Sequence, residues 1–533
     1  MTWRFLVLIA LVSTVFLGKE TSVRAETVDR YGSLEKISPK LAQSLSAKDY
    51  FNRGLAKHVL GDNEGAIADY NEAIRINPNL ADAYGNRGNA KSTLGDKQGA
   101  ISDYTKVILI NPNDALAYSN RGVAKFDLGD KQGAIADYTK VILINPNDAL
   151  AYYNRGLAKY LSGDKQGAIA DYNEAIRINL NLADAYGNRG KAKSIIIELI
   201  NPNAAIYYNR GLAKFDLGDK QGAIADFNEA IRLNPNFAEA YLSRGYVKYE
   251  LGDKKGAIAD YNEAIRINPN FAEAYSNRGL AKSALGDKKG AIADYNEAIR
   301  INPNFAIAYY NRGVVKSDLG DKKGAIADYN EAIRINPNFA LAYYNRGVVK
   351  YDLGDKKGAI ADYNEAIRIN PDFAEAYTKR GITKYVSGEK QEAIADFNEA
   401  IRINPNFAEA YYNRGVVKSD LGDKKGAIAD YNEAIRINPD FTEAYTNRGV
   451  AKSDLGDKKG AIADYNETIR INPNFAIAYY NIACAYSLQN NLELALLNLQ
   501  KAIQLSPELR QQAKTDKDFD NIRREARFQD LLR

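Results

Sequence analysis

The chain has 533 residues, with Lys+Arg 72 against Asp+Glu 67, one His and one Cys. A net charge of +5 without a clustered basic face excludes the footprint of a nucleic-acid binder. A lone His58 and a lone Cys484 cannot build a zinc site, a Cys–His nucleophile pair or an internal disulfide.

Residues 1–25 read as a signal peptide. Arg4 gives a basic start, Phe5 to Leu17 is a 13-residue apolar core, and Val23-Arg24-Ala25 precedes Glu26 as a cleavage site. Such a core is too short to span a bilayer, which takes about 20 apolar residues. The mature chain is therefore expected to be exported to a periplasm, lumen or extracellular space, with no membrane span. Residues 26–46 form a polar lead-in segment.

From there the prolines keep time. Pro235, Pro269, Pro303, Pro337, Pro371, Pro405, Pro439, Pro473 and Pro507 are separated by eight intervals of 34 residues. A fixed period of this length belongs to a stacked repeat array rather than to several globular domains. Residues 306–339 serve as the type unit, and two helices fit them. The first runs from Ala306 to about Leu319 and ends at Gly320, which accepts a left-handed conformation. Asp321 caps the second. Ala325, Ile326, Tyr329, Ala332 and Ile333 give that helix one apolar face, and Pro337 stops it. A pair this short cannot bury its apolar face alone and must stack on neighbours.

Tyr309-x2-Arg312-Gly313-x2-Lys316, then Ala325-x3-Tyr329, then Pro337 resembles the tetratricopeptide repeat, whose pattern is W-x2-L-G-x2-Y, A-x3-F, P. The resemblance covers 47–509 in 13 full units and one truncated unit, like the long arrays of bacteria and cyanobacteria. It implies an all-α, right-handed α-solenoid (superhelix) of stacked helix pairs. Four repeats occupy 47–182, a truncated one 183–203, and nine more 204–509. A C-terminal capping segment fills 510–533, where Phe519, Ile522, Phe528, Leu531 and Leu532 are spaced to cover the last repeat.

Two departures from the family pattern recur. Arg stands where the pattern has Leu, as at Arg312, Arg346 and Arg414, and Lys where it has Tyr, as at Lys316, Lys350 and Lys418. With Asp328, Asp362 and Asp430 they can form a ladder of ion pairs inside each repeat. The alternative is that their stems cover apolar neighbours with the heads in water. The truncated unit lacks twelve residues, most of a second helix. Losing one helix breaks the alternation, so a kink is expected near 190–205, with the following repeat unable to continue the groove of the preceding one.

On the first helix Ile307, Asn311, Val314 and Asp318 share a stripe. Its Asn recurs at Asn52, Asn86, Asn120, Asn154, Asn188, Asn209, Asn277, Asn311, Asn345, Asn413, Asn447 and Asn481; Ser243 and Lys379 replace it elsewhere. In the tetratricopeptide family this stripe lines the concave groove, and the resemblance implies that these amides hold a peptide backbone, since each offers a donor and an acceptor. Acids flank the stripe: Glu239, Glu273, Glu375, Glu409 and Glu443 at its start, and Asp127, Asp216, Asp318, Asp352, Asp420 and Asp454 at its end. Tyr153, Tyr208, Tyr310, Tyr344, Tyr412 and Tyr480 stand beside the Asn position. The expected partners are other proteins, through extended neutral or basic segments, with no cofactor and no nucleic acid. The family's carboxylate clamp is not carried over, because it needs Lys beside the Asn.

The function expected is that of a non-enzymatic adaptor. A structural scaffold of an envelope or polysaccharide-export complex, using the outer face, is a second reading. An enzyme or small-molecule binder is a third, opposed by the missing His and Cys and by the lack of any sizeable nonrepeat domain. The oligomeric state is left open.

Overall fold

The computed structural model describes residues 45–187 and 192–533, with the side chains of 180–202 outside that description. The signal peptide, most of the lead-in and Asn188 lie outside the described residues. Those that are described are helical, with no strand, in two compact units, one ending at Asn270 and the other running from Phe271 to Arg533. Each unit is an α-solenoid of helix pairs, here called helix A and helix B of each repeat.

Local chemistry sets the boundaries. In the type repeat helix A is Ala306–Asp318 and helix B is Lys322–Ile335. Gly320 takes φ +86°, and the Asp321 amide then donates back to the Lys316 carbonyl at 2.9 Å, closing the helix end. The Asp321 carboxylate accepts from the Gly324 amide at 2.9 Å, satisfying one of the free donors of helix B. Asn336 and Pro337 end helix B, and Asn336 Oδ1 accepts from the Asn338 amide at 3.1 Å to turn the chain.

Packing within a repeat rests on close approach. A Cβ on Gly313 would lie 2.8 Å from Cε1 of Tyr329, so only glycine lets helix A sit on that ring. Ala325, Tyr329 and Ala332 are almost fully buried, and Val349 of the next repeat joins Ala325 and Tyr329 in one cluster. Along the repeats the core is thus a series of small clusters shared by stacked neighbours, as expected where every unit buries its face on a neighbour.

The truncated unit behaves differently from its expectation. Helix B of repeat 149–182 runs on as Lys165–Gly187, and helix A of repeat 204–237 begins early, within Ala192–Asp216. The kink expected over 190–205 falls largely on residues whose side chains are outside the description. Its flanks are described, and they correct the expectation that repeat 204–237 cannot continue repeat 149–182. Arg210 Nη1 donates to Asn173 Oδ1 at 2.8 Å and Asn209 Nδ2 to the Tyr153 hydroxyl at 3.0 Å, across the missing helix. The Tyr160 hydroxyl donates to Asp216 at 2.7 Å. The alternation survives because the remnant lengthens its two neighbours and leaves them facing each other.

At the C-terminus Phe519, Ile522, Phe528 and Leu532 are buried against Tyr480, Leu496, Leu499 and Ile503, with Leu531 partly buried beside them. No helix among the described residues is long and apolar enough to cross a membrane.

Candidate functional site: the helix A face

The helix A face is held in place by its recurrent arginine. Arg312 Nε and Nη2 donate to the two carboxylate oxygens of Asp328 at 2.9 and 2.5 Å, and Lys316 Nζ reaches Asp328 Oδ2 at 2.9 Å. The guanidinium also lies over the ring of Tyr309, 5.4 Å from its centroid. The ladder of pairs is therefore present, and it is not a solvated one. Asp328 is 3% exposed, and its partners' side chains are 17% and 23% exposed. A two-pronged charge-assisted contact of this kind fixes geometry as well as adding energy.

A third arm went unseen in the sequence. Arg312 Nη1 donates to Asn296 Oδ1 of the preceding repeat at 2.6 Å, and Arg346 and Arg414 do the same to Asn330 and Asn398 at 2.6 and 2.7 Å. Where the preceding helix B carries Thr, its hydroxyl takes the role: Arg121 Nη1 reaches Thr105 Oγ1 at 3.1 Å. One arginine thus clamps its own helix B and the one before it. The recurrence of Asn between Tyr or Phe and Glu in helix B was the available signal.

The stripe's acids divide into two classes. Those at its end are paired inside the array: Lys322 with Asp352 at 3.2 Å, Lys390 with Asp420 at 2.6 Å and Lys424 with Asp454 at 2.8 Å. Lys97–Asp127, Lys165–Asp216 and Lys288–Asp318 repeat the pattern. Each pair joins stacked repeats, so this half of the acidic flank already has lysine partners. At the start of the stripe Glu375 and Glu443 are exposed, while Glu409 pairs with Lys379 at 2.9 Å.

The tyrosines beside the Asn position are structural first. Tyr310 packs between Tyr329 and Phe339, with ring centroids 6.0 and 4.9 Å away. Burial raises its pKa above the ordinary phenol value, against the opposing hydrogen bond from Asn345.

That hydrogen bond explains the asparagines' conformations. Asn345 Nδ2 donates to the Tyr310 hydroxyl at 2.8 Å and Asn447 Nδ2 to the Tyr412 hydroxyl at 3.0 Å, each across a repeat junction. Where the preceding repeat has Thr378, Asn413 turns back on the Glu409 carbonyl at 2.7 Å. Where it has Phe51, Asn86 turns back on the Asp82 carbonyl at 2.9 Å. Asn120 reaches Asn89 Oδ1 at 3.3 Å. Asn52, Asn277, Asn311 and Asn481 occupy the same helix A position and are half-buried, whereas Asn154 and Asn209 are buried. Ser243 keeps the junction contact, with its hydroxyl 3.3 Å from that of Tyr208. A cleft of about 420 Å³ opens on this face, lined by Tyr385, Val416, Asp420, Lys424, Asn447 and Val450.

One other cluster stands apart. Cys484, Asp516 and Asp518 bring their side-chain ligand atoms within 4.8 Å of one another. Burial and then Asp516 push the thiol up, burial and Asp516 also raise Asp518, and the Tyr480 hydroxyl donates to Asp516 at 2.7 Å. The Tyr480–Asp516 bond makes this cluster a polar seam under the C-terminal segment.

Comparison with known proteins gives a consistent set of matches. Family profiles described as "TPR repeat" match residues 54–95, 211–252, 245–286, 283–320, 316–354 and 384–422. Profiles described as "Tetratricopeptide repeat" match 81–114, 115–148, 149–182, 340–373, 408–441, 442–475 and 476–509. No curated protein matches the chain. Among solved structures, that of MamA is 29% identical with a TM-score of 0.29, covering 31% of this chain and 96% of its own. That of YrrB, titled a TPR protein with an unusual peptide-binding site, is 27% identical with a TM-score of 0.30, covering 34% and 93%. The Cut9–Hcn1 hetero-tetramer of the APC/C is 17% identical with a TM-score of 0.41, covering 93% and 97%.

Proposed function

The chain belongs to the tetratricopeptide repeat family, and we propose that it is a non-enzymatic adaptor holding extended segments of other proteins along its helix A face. The family's repeat is an interaction module, and protein–protein interaction is the coarse function. The finer reading is that the helix A asparagines grip a peptide backbone. What supports it is the way Asn345 and Asn447 are fixed by tyrosines of the preceding repeat. A side-chain amide held through one N–H keeps its second N–H and its carbonyl oxygen for a ligand, at a reduced ordering cost. Glu375 and Glu443 favour a neutral or basic segment, whereas the paired aspartates contribute little. With the signal read in residues 1–25, the adaptor works outside the cytoplasm; a mature chain that starts at Met1 counts against this.

One hydrogen bond contributes about 0.5–1.5 kcal/mol, so a single Asn→Ala is nearly silent and only a block change is diagnostic. The test is a crosslinking pull-down with residues 26–533, beside a variant with Asn277, Asn311, Asn345, Asn413 and Asn447 all changed to Ala and its helicity verified by circular dichroism. Partners captured by the first and lost by the second support the reading. An identical set from both overturns it.

A further inference from the structure

Two adjacent repeats carry an outer face unlike that of ten others, and the last helix B has Lys501 and Gln504 at the same positions. In ten repeats helix B ends with a Glu–Arg pair three residues apart on the outside, as at Glu331 and Arg334, 2.8 Å apart. In helices Lys97–Ile110 and Lys131–Ile144 the same positions hold Lys106 with Leu109 and Lys140 with Leu143. Leu109 and Leu143 are 69% and 68% exposed, among the most exposed large apolar residues of the described chain. Ile110 and Ile144, at 38% and 36%, extend the patch.

The inward changes in these two helices are all absorbed. Val107 and Val141 replace Ala and stay buried, and Thr105 and Thr139 still accept from Arg121 and Arg155. The outward changes are not. Among the described residues Lys106 and Lys140 form no ion pair, and a leucine on the outer face offers its own fold nothing. Each of these repeats has exchanged a neutral pair for a positive charge beside an apolar side chain.

We propose that this face docks a short acidic segment of another protein, with apolar side chains seated over Leu109 and Leu143 and carboxylates on Lys106 and Lys140. Charge chooses the occupant. A second copy related by a two-fold axis would set these lysines against the same lysines. The patch is also bounded on both sides by the Glu72–Arg75 and Glu174–Arg177 pairs, which suits a narrow segment better than a membrane plane. Lying on helix B, the site does not depend on the helix A reading.

The test uses the full chain and the variant K106E/L109R/K140E/L143R, which gives these two repeats the pair the other ten carry, so the fold holds. The probes are two labelled synthetic peptides with leucines at i, i+3, i+4 and i+7, one with Glu at the polar positions and one with Lys. Fluorescence anisotropy at low salt is expected to show the Glu peptide binding at least tenfold tighter than the Lys peptide. The variant should lose at least tenfold, and L109S/L143S should lose affinity while keeping the preference for Glu. Equal binding of the two peptides, or undiminished binding by the variant, overturns the proposal. So does a native chain that sediments as a dimer while the variant is a monomer. Phosphatidylglycerol vesicles that retain the native chain and not the variant, with the Glu peptide unbound, overturn it as well.

Discussion

Between repeats 306–339 and 340–373 the chain passes directly from Phe339 to Ala340, whereas between 149–182 and 204–237 it carries twenty-one further residues. The contacts at the two junctions are nonetheless alike. Arg346 reaches Asn330 at 2.6 Å and Arg210 reaches Asn173 at 2.8 Å. Asn345 reaches Tyr310 at 2.8 Å and Asn209 reaches Tyr153 at 3.0 Å. The lysine–aspartate pair is slacker at the interrupted junction, 3.7 Å for Lys165–Asp216 against 3.2 Å for Lys322–Asp352. Connectivity differs and pairing does not. The stacking register therefore resides on the surface of each repeat, in the arginine clamp and the Tyr–Asn bridge.

The clamp is where this equivalence breaks first if it is wrong. Arg346→Ala leaves Asp362 buried with Lys350 alone, and Arg210→Ala does the same to Asp226 and Lys214. Losing one partner of a buried pair costs about 3–5 kcal/mol; with the lysine still in place, about 2–3 kcal/mol is expected at either junction. Urea unfolding followed by circular dichroism measures it. A much smaller loss for Arg210→Ala separates the junctions.

Alkaline pH gives a second comparison. Burial pushes the Tyr153 phenol up to about 12 against the opposing bond from Asn209, and burial likewise raises the Tyr310 phenol against the opposing bond from Asn345. Both folded values lie above the unfolded one of about 10. Their contribution to stability is thus full below pH 10 and is lost as pH rises towards 12. Tyrosinate absorbance and helicity are expected to change together across that window at both junctions. Early ionisation confined to repeats 149–182 and 204–237 marks the interrupted one as open.

The smallest effect sharpens the contrast between buried and exposed charge. Glu331→Ala removes the outer partner of Arg334, and the melting temperature is expected to stay within error of the native value. A shift as large as that of Arg346→Ala contradicts the division.

Much of this was legible in the sequence because it is local. Gly320, Asp321 and Pro337 mark helix ends by their own backbone chemistry, and the boundaries fall where those residues put them. The Asp328 partners were legible from spacing, but their burial was not, since it depends on how two helices close over the carboxylate. The Asn296, Asn330 and Asn398 contacts and the Lys–Asp pairs join different repeats, and a pattern read within one unit cannot show them. The candidate site was legible as a row of asparagines. That their conformations follow the preceding repeat's side chain, Tyr310 or Thr378, required the stacking.

The most direct test removes residues 183–203 and joins Leu182 to Ala204. If register resides on repeat surfaces, the shortened chain melts at the native temperature or above it. Hydrogen exchange across 149–182 and 204–237 then stays as slow as in the full chain. A lower melting temperature with rapid exchange on both sides of the splice means that the intervening residues hold the junction, and contradicts the account.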